Sequence, residues 1–401
     1  MNLKFQRITD KYLGIPLCYG LHWLKEAAGG FKKEGLGRPV QKILLIKFWG
    51  IGNIVMLFPT IKALREHYPQ AAIDFFTLFQ NRQALEGNPH INHVFFLRND
   101  RFHAFAWTYL KNAFLLRRND YDMVLDFEQF AKTSSVFALL VGKRERIGFD
   151  TPAQGRRVAY TRRVAYLDYP HMVETFFRIA KGAGVDHADL TLLPLEISDE
   201  DRKAVDQFLE QHGIRGEDLL VGMHLGSGEN MLPRRWEKEK FARLADRLME
   251  RHAARVIFTG HGDHEIRLVS DAVALMHQTP VNAAGKLTLK ALAELIRRCR
   301  FFVSNDTAPV HIASAMGTPV VGFYGPNTPY LYGPRGDHNL VFYRELYCSP
   351  CITNYNAKIS NCTDPKCIRD IGVTEVLEAI ERKYLAKGGT DADLSLESAG
   401  R

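Results

Sequence analysis

From residue 42 onward the chain alternates between short continuous apolar runs and longer stretches with helical spacing. KILLIKF, AIDFFTLF, HVFFL and YDMVLDF are strand candidates, each followed by a helix or loop. Continuous apolar strands separated by helices predict a parallel sheet covered on both faces. The pattern restarts after the polar stretch LEISDEDRKAVDQFLEQHGIRGED, which holds one helix. LLVGMHLG, RVIFTG, FFVSND and PVVGFYG then supply four more strands, with helices around 236–251, 264–276, 288–298 and 308–316. The expectation is an α/β protein of two doubly wound halves joined near 195–215. In such folds the loops beyond the carboxyl ends of the strands carry the chemistry. A basic amphipathic segment, 1–40, precedes the first half. The tail 387–401 has few apolar residues and is expected to be disordered.

Two stretches have helical spacing and basic flanks. In FHAFAWTYLKNAFLLRR, Phe102, Phe105, Ala106, Tyr109, Leu110, Ala113 and Phe114 recur at i, i+3, i+4 and i+7, beside Trp107, Arg117 and Arg118. Near the start, Tyr12, Leu13, Ile15, Leu17, Leu21, Trp23 and Leu24 crowd between Lys11 and Lys25, with Gly14 and Pro16 expected to interrupt. Such segments suit either the lipid headgroup zone or packing on the protein's own core.

Charge adds weight to the first reading. Residues 1–42 carry eight Lys/Arg against three acids, 98–118 five against one, and 143–163 seven against two. The whole chain is only +8, so the remainder is net negative. A field this one-sided attracts an anionic partner, such as a membrane surface or a phosphorylated lipid. Nucleic acid is not expected, because no recognition-helix motif, zinc finger or RNP sequence is present. With 46% hydrophobic and 24% charged residues over 401, the chain has enough apolar content for two buried cores. It shows no apolar run of the ~18 residues that would span a bilayer, and no signal-peptide pattern at its start. The expected location is cytoplasmic and peripheral.

Candidate chemistry sits in the loops. FFVSNDTAPVHIASAMGTPVVGFYGPNTP places Asp306, Thr307 and Ala308 where a buried strand gives way to a helix with Pro309 in its first turn. A helix start of this kind offers free N–H groups and a positive dipole end to a diphosphate; Asp306 reads equally as an N-cap. HLGSGENMLPRRWEKEKFARLADRL repeats the geometry, with Ser227 and Gly228 in a glycine loop and Arg234 and Arg235 able to pair with phosphate oxygens. TGHGDHE offers Asp263 and Glu265 as carboxylates for ribose hydroxyls. KFWGIGN is a G-x-G turn without the full dinucleotide fingerprint, and no P-loop is present. Cys348, Cys351, Cys362 and Cys367 form C-x2-C-x10-C-x4-C, which has the count for a structural zinc or another structural metal, the preferred reading, with disulfides or unlinked thiols as alternatives. Cys18 and Cys299 read as buried packing.

Together these loops resemble family 9 of the glycosyltransferases, the ADP-heptose:lipopolysaccharide heptosyltransferase family. The resemblance runs from about residue 41 to 385 on HLGSG…RRW, TGHGDHE and SNDTAPVHIASAMGTPVVGFYGP, with echoes in GNPHINHV, YDMVLDF and RIGF. It implies a GT-B architecture, two Rossmann-like domains facing across a cleft. An acceptor-side domain would occupy 41–200 and a donor nucleotide-sugar domain, with the cysteine cluster, 201–386. The resemblance places Ser227, Gly228, Arg235, Asp263, Glu265, Asp306, Thr307, Ala308 and His311 around the donor. Of these, Arg235 would face the diphosphate and Glu265, failing that Asp263, the ribose.

The implied reaction is an inverting transfer needing no cofactor, from an ADP-sugar, heptose first, to a lipopolysaccharide-core or lipid-linked saccharide at the inner membrane. One departure matters. The family's first loop carries Gly-Asp, whose Asp is the proposed base, whereas this chain has Gly52-Asn53. An amide is no general base, so Glu128, with Asp126 beside it at the end of YDMVLDF, becomes the preferred candidate. Asn53 also favours a rival, a catalytically inactive scaffold binding a nucleotide sugar or lipid. A nucleotide-sugar epimerase of the same fold is a third reading.

Overall fold

A computed structural model describes residues 3–27, 39–228, 232–356 and 360–386; the tail 387–401 and part of the 1–40 segment lie outside them. Over these residues the apolar runs form two six-stranded, wholly parallel sheets. The first contains β1 (Lys42–Ile46), β2 (Ala72–Leu78), β3 (His93–Leu97), β4 (Met123–Asp126), β5 (Glu145–Asp150) and β6 (Arg162–Ala165), ordered β3-β2-β1-β4-β5-β6. The second contains β7 (Leu220–His224), β8 (Arg255–Thr259), β9 (Val281–Asn282), β10 (Phe301–Asn305), β11 (Val320–Tyr324) and β12 (Leu340–Tyr343), ordered β12-β11-β10-β7-β8-β9. Both are the doubly wound order, and the direction of winding reverses between β1 and β4 and between β7 and β10. Ligand crevices belong at those two points.

The described residues divide into two compact units. The first holds the chain up to Ser198, Tyr330–Arg335 and a segment beginning at Asn354; the second holds the rest. Helices cover the sheets, so the inner strands are buried throughout. In the first unit Phe76 of β2 stacks on Phe137 at 4.1 Å between ring centroids. In the second, Trp236 stacks on Phe323 of β11 at 4.2 Å and donates its indole N–H to Ile371 O.

The N-terminal segment differs from expectation. It is one helix, Leu3–Ala27, that continues through Pro16. An interior proline removes a hydrogen bond and costs ~3 kcal/mol, and tertiary packing offsets it. Asp10 accepts the N–H groups of Lys132 (3.0 Å) and Thr133 (2.7 Å), capping the helix Lys132–Val141 from a distant part of the chain. One turn on, Gly14 lies so close to Lys132 that a Cβ there would meet the Lys132 Cβ at 2.4 Å. After another turn the buried Cys18 meets Ser135 Oγ at 3.4 Å. Small residues at i, i+4 thus let the two helices approach closely.

Neither basic amphipathic stretch buries its whole apolar stripe. In the helix Phe102–Arg118, Ala113 and Leu116 are buried and Tyr109 packs on Phe137, while Phe102, Trp107, Leu110 and Phe114 are exposed. In the N-terminal helix Trp23 is 72% and Leu24 68% exposed. The basic run 143–163 is less of a surface feature than its composition implies, because Arg146 and Arg156 are buried. Among the described residues no helix is long and apolar enough to cross a membrane.

Candidate functional site

At the switch point of the second unit, Asn305 fastens two loops together. Its side chain accepts the Trp236 N–H (2.8 Å) and donates to Leu225 O (2.8 Å), so the ends of β10 and β7 are held in register. The next residue, Asp306, is buried and does not cap the helix Ala308–Ala315. Its Oδ2 instead accepts from Arg234 (2.9 Å) and from the Asn327 amide (2.7 Å). Thr307 occupies the N-cap position with extended backbone and makes no side-chain cap, its hydroxyl donating to Asn305 O. The first turn of the helix carries no side-chain cap; Pro309 has no N–H, the Val310 N–H turns back to Thr307 O at 3.1 Å, and the positive end of the helix faces the loop. His311 is buried in the same helix. Arg235, the sequence candidate, donates to Ser227 Oγ (2.9 Å) and Gly228 O (3.2 Å), bracing the glycine loop.

The third loop closes the group. Glu265, in the helix Asp263–Val273, accepts the His261 N–H at 3.0 Å and stands 3.6 Å from His224 Nε2. It lies flush against Gly226, where a Cβ would come within 1.9 Å of its Oε1; only glycine permits this placement. Burial pushes the His224 imidazole below its ordinary pKa, with Glu265 working against the shift and Arg235 reinforcing it. Asp263 is exposed at the helix start. Of the two residues that hold Asp306, Arg234 was read in the sequence as a phosphate partner, whereas Asn327 was not singled out. Its signal was the Asn of GPNTP, at the end of the next strand.

At the switch point of the first unit, Glu128 Oε1 accepts the N–H groups of Phe48 (2.7 Å) and Trp49 (2.9 Å), and Oε2 pairs with Lys47 Nζ at 2.9 Å. Both partners of that pair are buried. The loop they share is also held by Thr77 on Lys47 O and Asn81 on Phe48 O. Asn53, the first-loop candidate, donates to Trp49 O at 3.2 Å. Asp126 is fully enclosed: Arg156, Tyr160 and Ser134 surround Oδ2 at 2.6–2.8 Å, and Oδ1 takes the Glu128 N–H. Burial raises its carboxyl pKa although Arg156 opposes the shift. It is a structural anchor and leaves Glu128 as the nearer carboxylate to the loop. Lys47 was overlooked in sequence because it ends an apolar run.

The cysteine cluster is partly assembled. Cys351 meets Ser360 Oγ at 3.2 Å, Cys367 is buried and Cys348 exposed, and no disulfide joins any of the six cysteines. Burial, and secondarily the charges of Cys351, Cys362 and Cys348, push the Cys367 thiol up to about 11. Among the described residues no three His, Cys, Asp or Glu side chains gather as a metal site.

The sequence model of glycosyltransferase family 9 (heptosyltransferase) matches residues 110–359. The lipopolysaccharide core heptosyltransferase OpsX of Haemophilus influenzae is 27% identical over 299 residues, 73% of this chain and 82% of the relative. Lipopolysaccharide heptosyltransferase 3 of Escherichia coli is 25% identical over 314 residues, 74% of this chain and 88% of its own. Among solved structures, a family 9 glycosyl transferase from Veillonella parvula superposes with a TM-score of 0.74 at 25% identity, covering 88% of this chain and 99% of that one.

Proposed function

This chain belongs to glycosyltransferase family 9, and from that premise we propose that it transfers heptose from ADP-heptose to a saccharide of the lipopolysaccharide core, inverting the anomeric centre. The observation that carries the donor assignment is the uncapped start of the helix Ala308–Ala315, flanked by the Arg234–Asp306–Asn327 triad and by Arg235 on the Ser227-Gly228 loop. The acceptor hydroxyl attacks C1, the bond from C1 to the diphosphate breaks, and the hydroxyl proton passes to a base. Negative charge builds on the departing ADP, where helix N–H groups and guanidinium groups meet it. Glu265 takes the ribose hydroxyls. These donors do the work assigned elsewhere to a divalent cation, so turnover is expected to survive EDTA. A tetrathiolate metal on Cys348, Cys351, Cys362 and Cys367 would be structural, and elemental analysis of purified protein decides it.

Glu128 is the base in this reading. A carboxylate offers about four lone-pair directions; three are filled, and the fourth, on Oε2, receives the proton. The acceptor reaches the protein at a membrane surface. Trp107 and Phe114 are exposed on the helix that ends in Arg117 and Arg118, with Arg118 over the Phe114 ring, and Trp23 and Leu24 are exposed on the N-terminal helix. Exposed apolar groups with basic neighbours suit an interfacial site on anionic lipid, each basic group adding ~1 kcal/mol.

Calorimetric titration with ADP, GDP, UDP and ADP-heptose tests the donor assignment, with Asp306→Ala as control. Selective ADP binding that disappears in the variant is expected. Preference for GDP or UDP discards ADP-heptose, and no binding to any of them sinks the site. Flotation with anionic liposomes at low salt tests the membrane contact, which fails if the protein stays at the bottom of the gradient.

A further inference from the structure

The carboxyl edge of the first sheet carries side chains that the transfer step above does not use. Phe130 lies two residues beyond Glu128, in the loop after β4. Its ring stands edge-on to Tyr166, just past β6, at 5.4 Å between centroids, and to Tyr355 at 5.2 Å; Tyr166 and Tyr355 are 6.1 Å apart. Tyr355 comes from the late segment that joins this unit. Tyr166 is buried, whereas Phe130 is half-buried and Tyr355 is 46% exposed, so aromatic surface is open to solvent.

A chain of hydrogen bonds backs these rings. Tyr332 Oη donates to Asn354 Oδ1 (2.8 Å), Asn354 Nδ2 to Tyr166 Oη (2.6 Å), and Tyr166 Oη to Asp168 Oδ1 (3.1 Å). The relay ends on an exposed carboxylate whose position it fixes. Next to Phe130, the amide nitrogen of Gln129 is buried and has no hydrogen-bond partner among the described residues. A buried donor left unmade costs ~1–3 kcal/mol, which an incoming acceptor atom would relieve.

We propose that Phe130, Tyr166 and Tyr355, with Asp168 and Gln129, form a subsite for an uncharged sugar ring of the acceptor, an inference that rests on the glycosyl transfer proposed above. A pyranose presents apolar C–H faces that pack on aromatic rings and hydroxyls that need both acceptors and donors. Asp168 takes hydroxyl protons, and Gln129 donates to a ring or hydroxyl oxygen. A phosphate or a sugar acid would be repelled by Asp168, and an acyl chain has no use for the carboxylate. The subsite therefore selects the neutral part of an otherwise anionic acceptor.

The test uses the full-length protein and, as probe, O-deacylated, dephosphorylated lipopolysaccharide core oligosaccharide. Affinity is measured by titration beside ADP affinity in wild type, Tyr355→Ala, Phe130→Ala and Asp168→Asn. Oligosaccharide binding is expected to weaken about tenfold or more in each variant while ADP affinity holds; Tyr355→Phe is expected to restore the wild-type value. Retained ADP binding and an unshifted melting temperature exclude misfolding, and Tyr355, being exposed, carries the test if Phe130→Ala does not fold. Oligosaccharide affinity within about twofold of wild type in both Tyr355→Ala and Asp168→Asn overturns the subsite alone. Wild-type protein that turns over ADP-heptose yet binds no core oligosaccharide overturns the acceptor class and the subsite with it.

Discussion

Replacing Glu128 by Gln separates the structural work of this carboxylate from its chemistry. Gln keeps a carbonyl oxygen where Oε1 accepts Phe48 and Trp49. On the other side an NH2 group replaces the oxygen that faces Lys47 Nζ at 2.9 Å, so two donors meet. Lys47 is 1% exposed, so its charge would be left buried without a partner. Removing one partner of a buried pair costs ~3–5 kcal/mol, a large share of the ~5–15 kcal/mol that holds a typical domain folded. Lys47→Met in the same chain deletes the orphaned charge, so the double variant is expected to regain half or more of the stability lost.

Activity should behave differently. Loss of a general base lowers turnover by ~10²–10⁴-fold, and methionine at 47 supplies no proton acceptor. Urea unfolding followed by tryptophan fluorescence gives the stabilities, and ADP release under saturating acceptor gives the rates. A stability loss below ~1 kcal/mol in Glu128→Gln refutes the energetic argument for the pair. A double variant that recovers rate together with stability shows that Glu128 only positions the loop and that the proton goes elsewhere.

Gly226→Ala would drive a Cβ into Glu265 Oε1 at 1.9 Å; ADP affinity measured by titration is expected to fall about tenfold, and an unchanged value separates Glu265 from the ribose. Asp10→Ala removes the cap on Lys132 and Thr133, with an expected loss of ~1 kcal/mol and faster tryptic cleavage within residues 3–27; equal cleavage rates would show that the cap does not hold this helix. His224, beside Thr259, Glu265 and Arg235, is held below its ordinary pKa chiefly by burial. The unfolded chain thus takes up its proton first, and stability is expected to decline as pH falls below ~6.5. Thermal melts at pH 7.5 and 5.5 should show a smaller drop for His224→Gln than for wild type, and equal drops would refute the assignment.

Most strands buried on both faces were readable, and so was the edge strand β3 as HVFFL; β5, buried but broken by Arg146 and Gly148, was not. β1, β4, β7, β10 and β11 stand in the sequence as unbroken apolar runs. β6, β9 and β12 lie at sheet edges with exposed or half-exposed positions, so periodicity had nothing to register. The proline at 16 pointed to a break that long-range packing overrides, because nothing local announces that residues 132–135 will supply the missing support. Loop chemistry was visible as residue type, while its pairing was not. That Arg234 rather than Arg235 meets Asp306, or that Lys47 meets Glu128, depends on which strand ends are neighbours, and the order β3-β2-β1-β4 reverses along the sheet.

The return of Tyr330–Arg335 and the segment from Asn354 into the first unit has a consequence for synthesis on the ribosome. Tyr166 waits for Asn354, and the His171 ring waits for the Gly333 carbonyl. At ~5–20 residues per second the ribosome needs roughly 8–30 s after Ser198 to deliver them. The first sheet must stand through that interval with part of its polar edge unpaired. A fragment ending at Ser198 would stay in that condition permanently, so the second half of the gene completes the first half's fold.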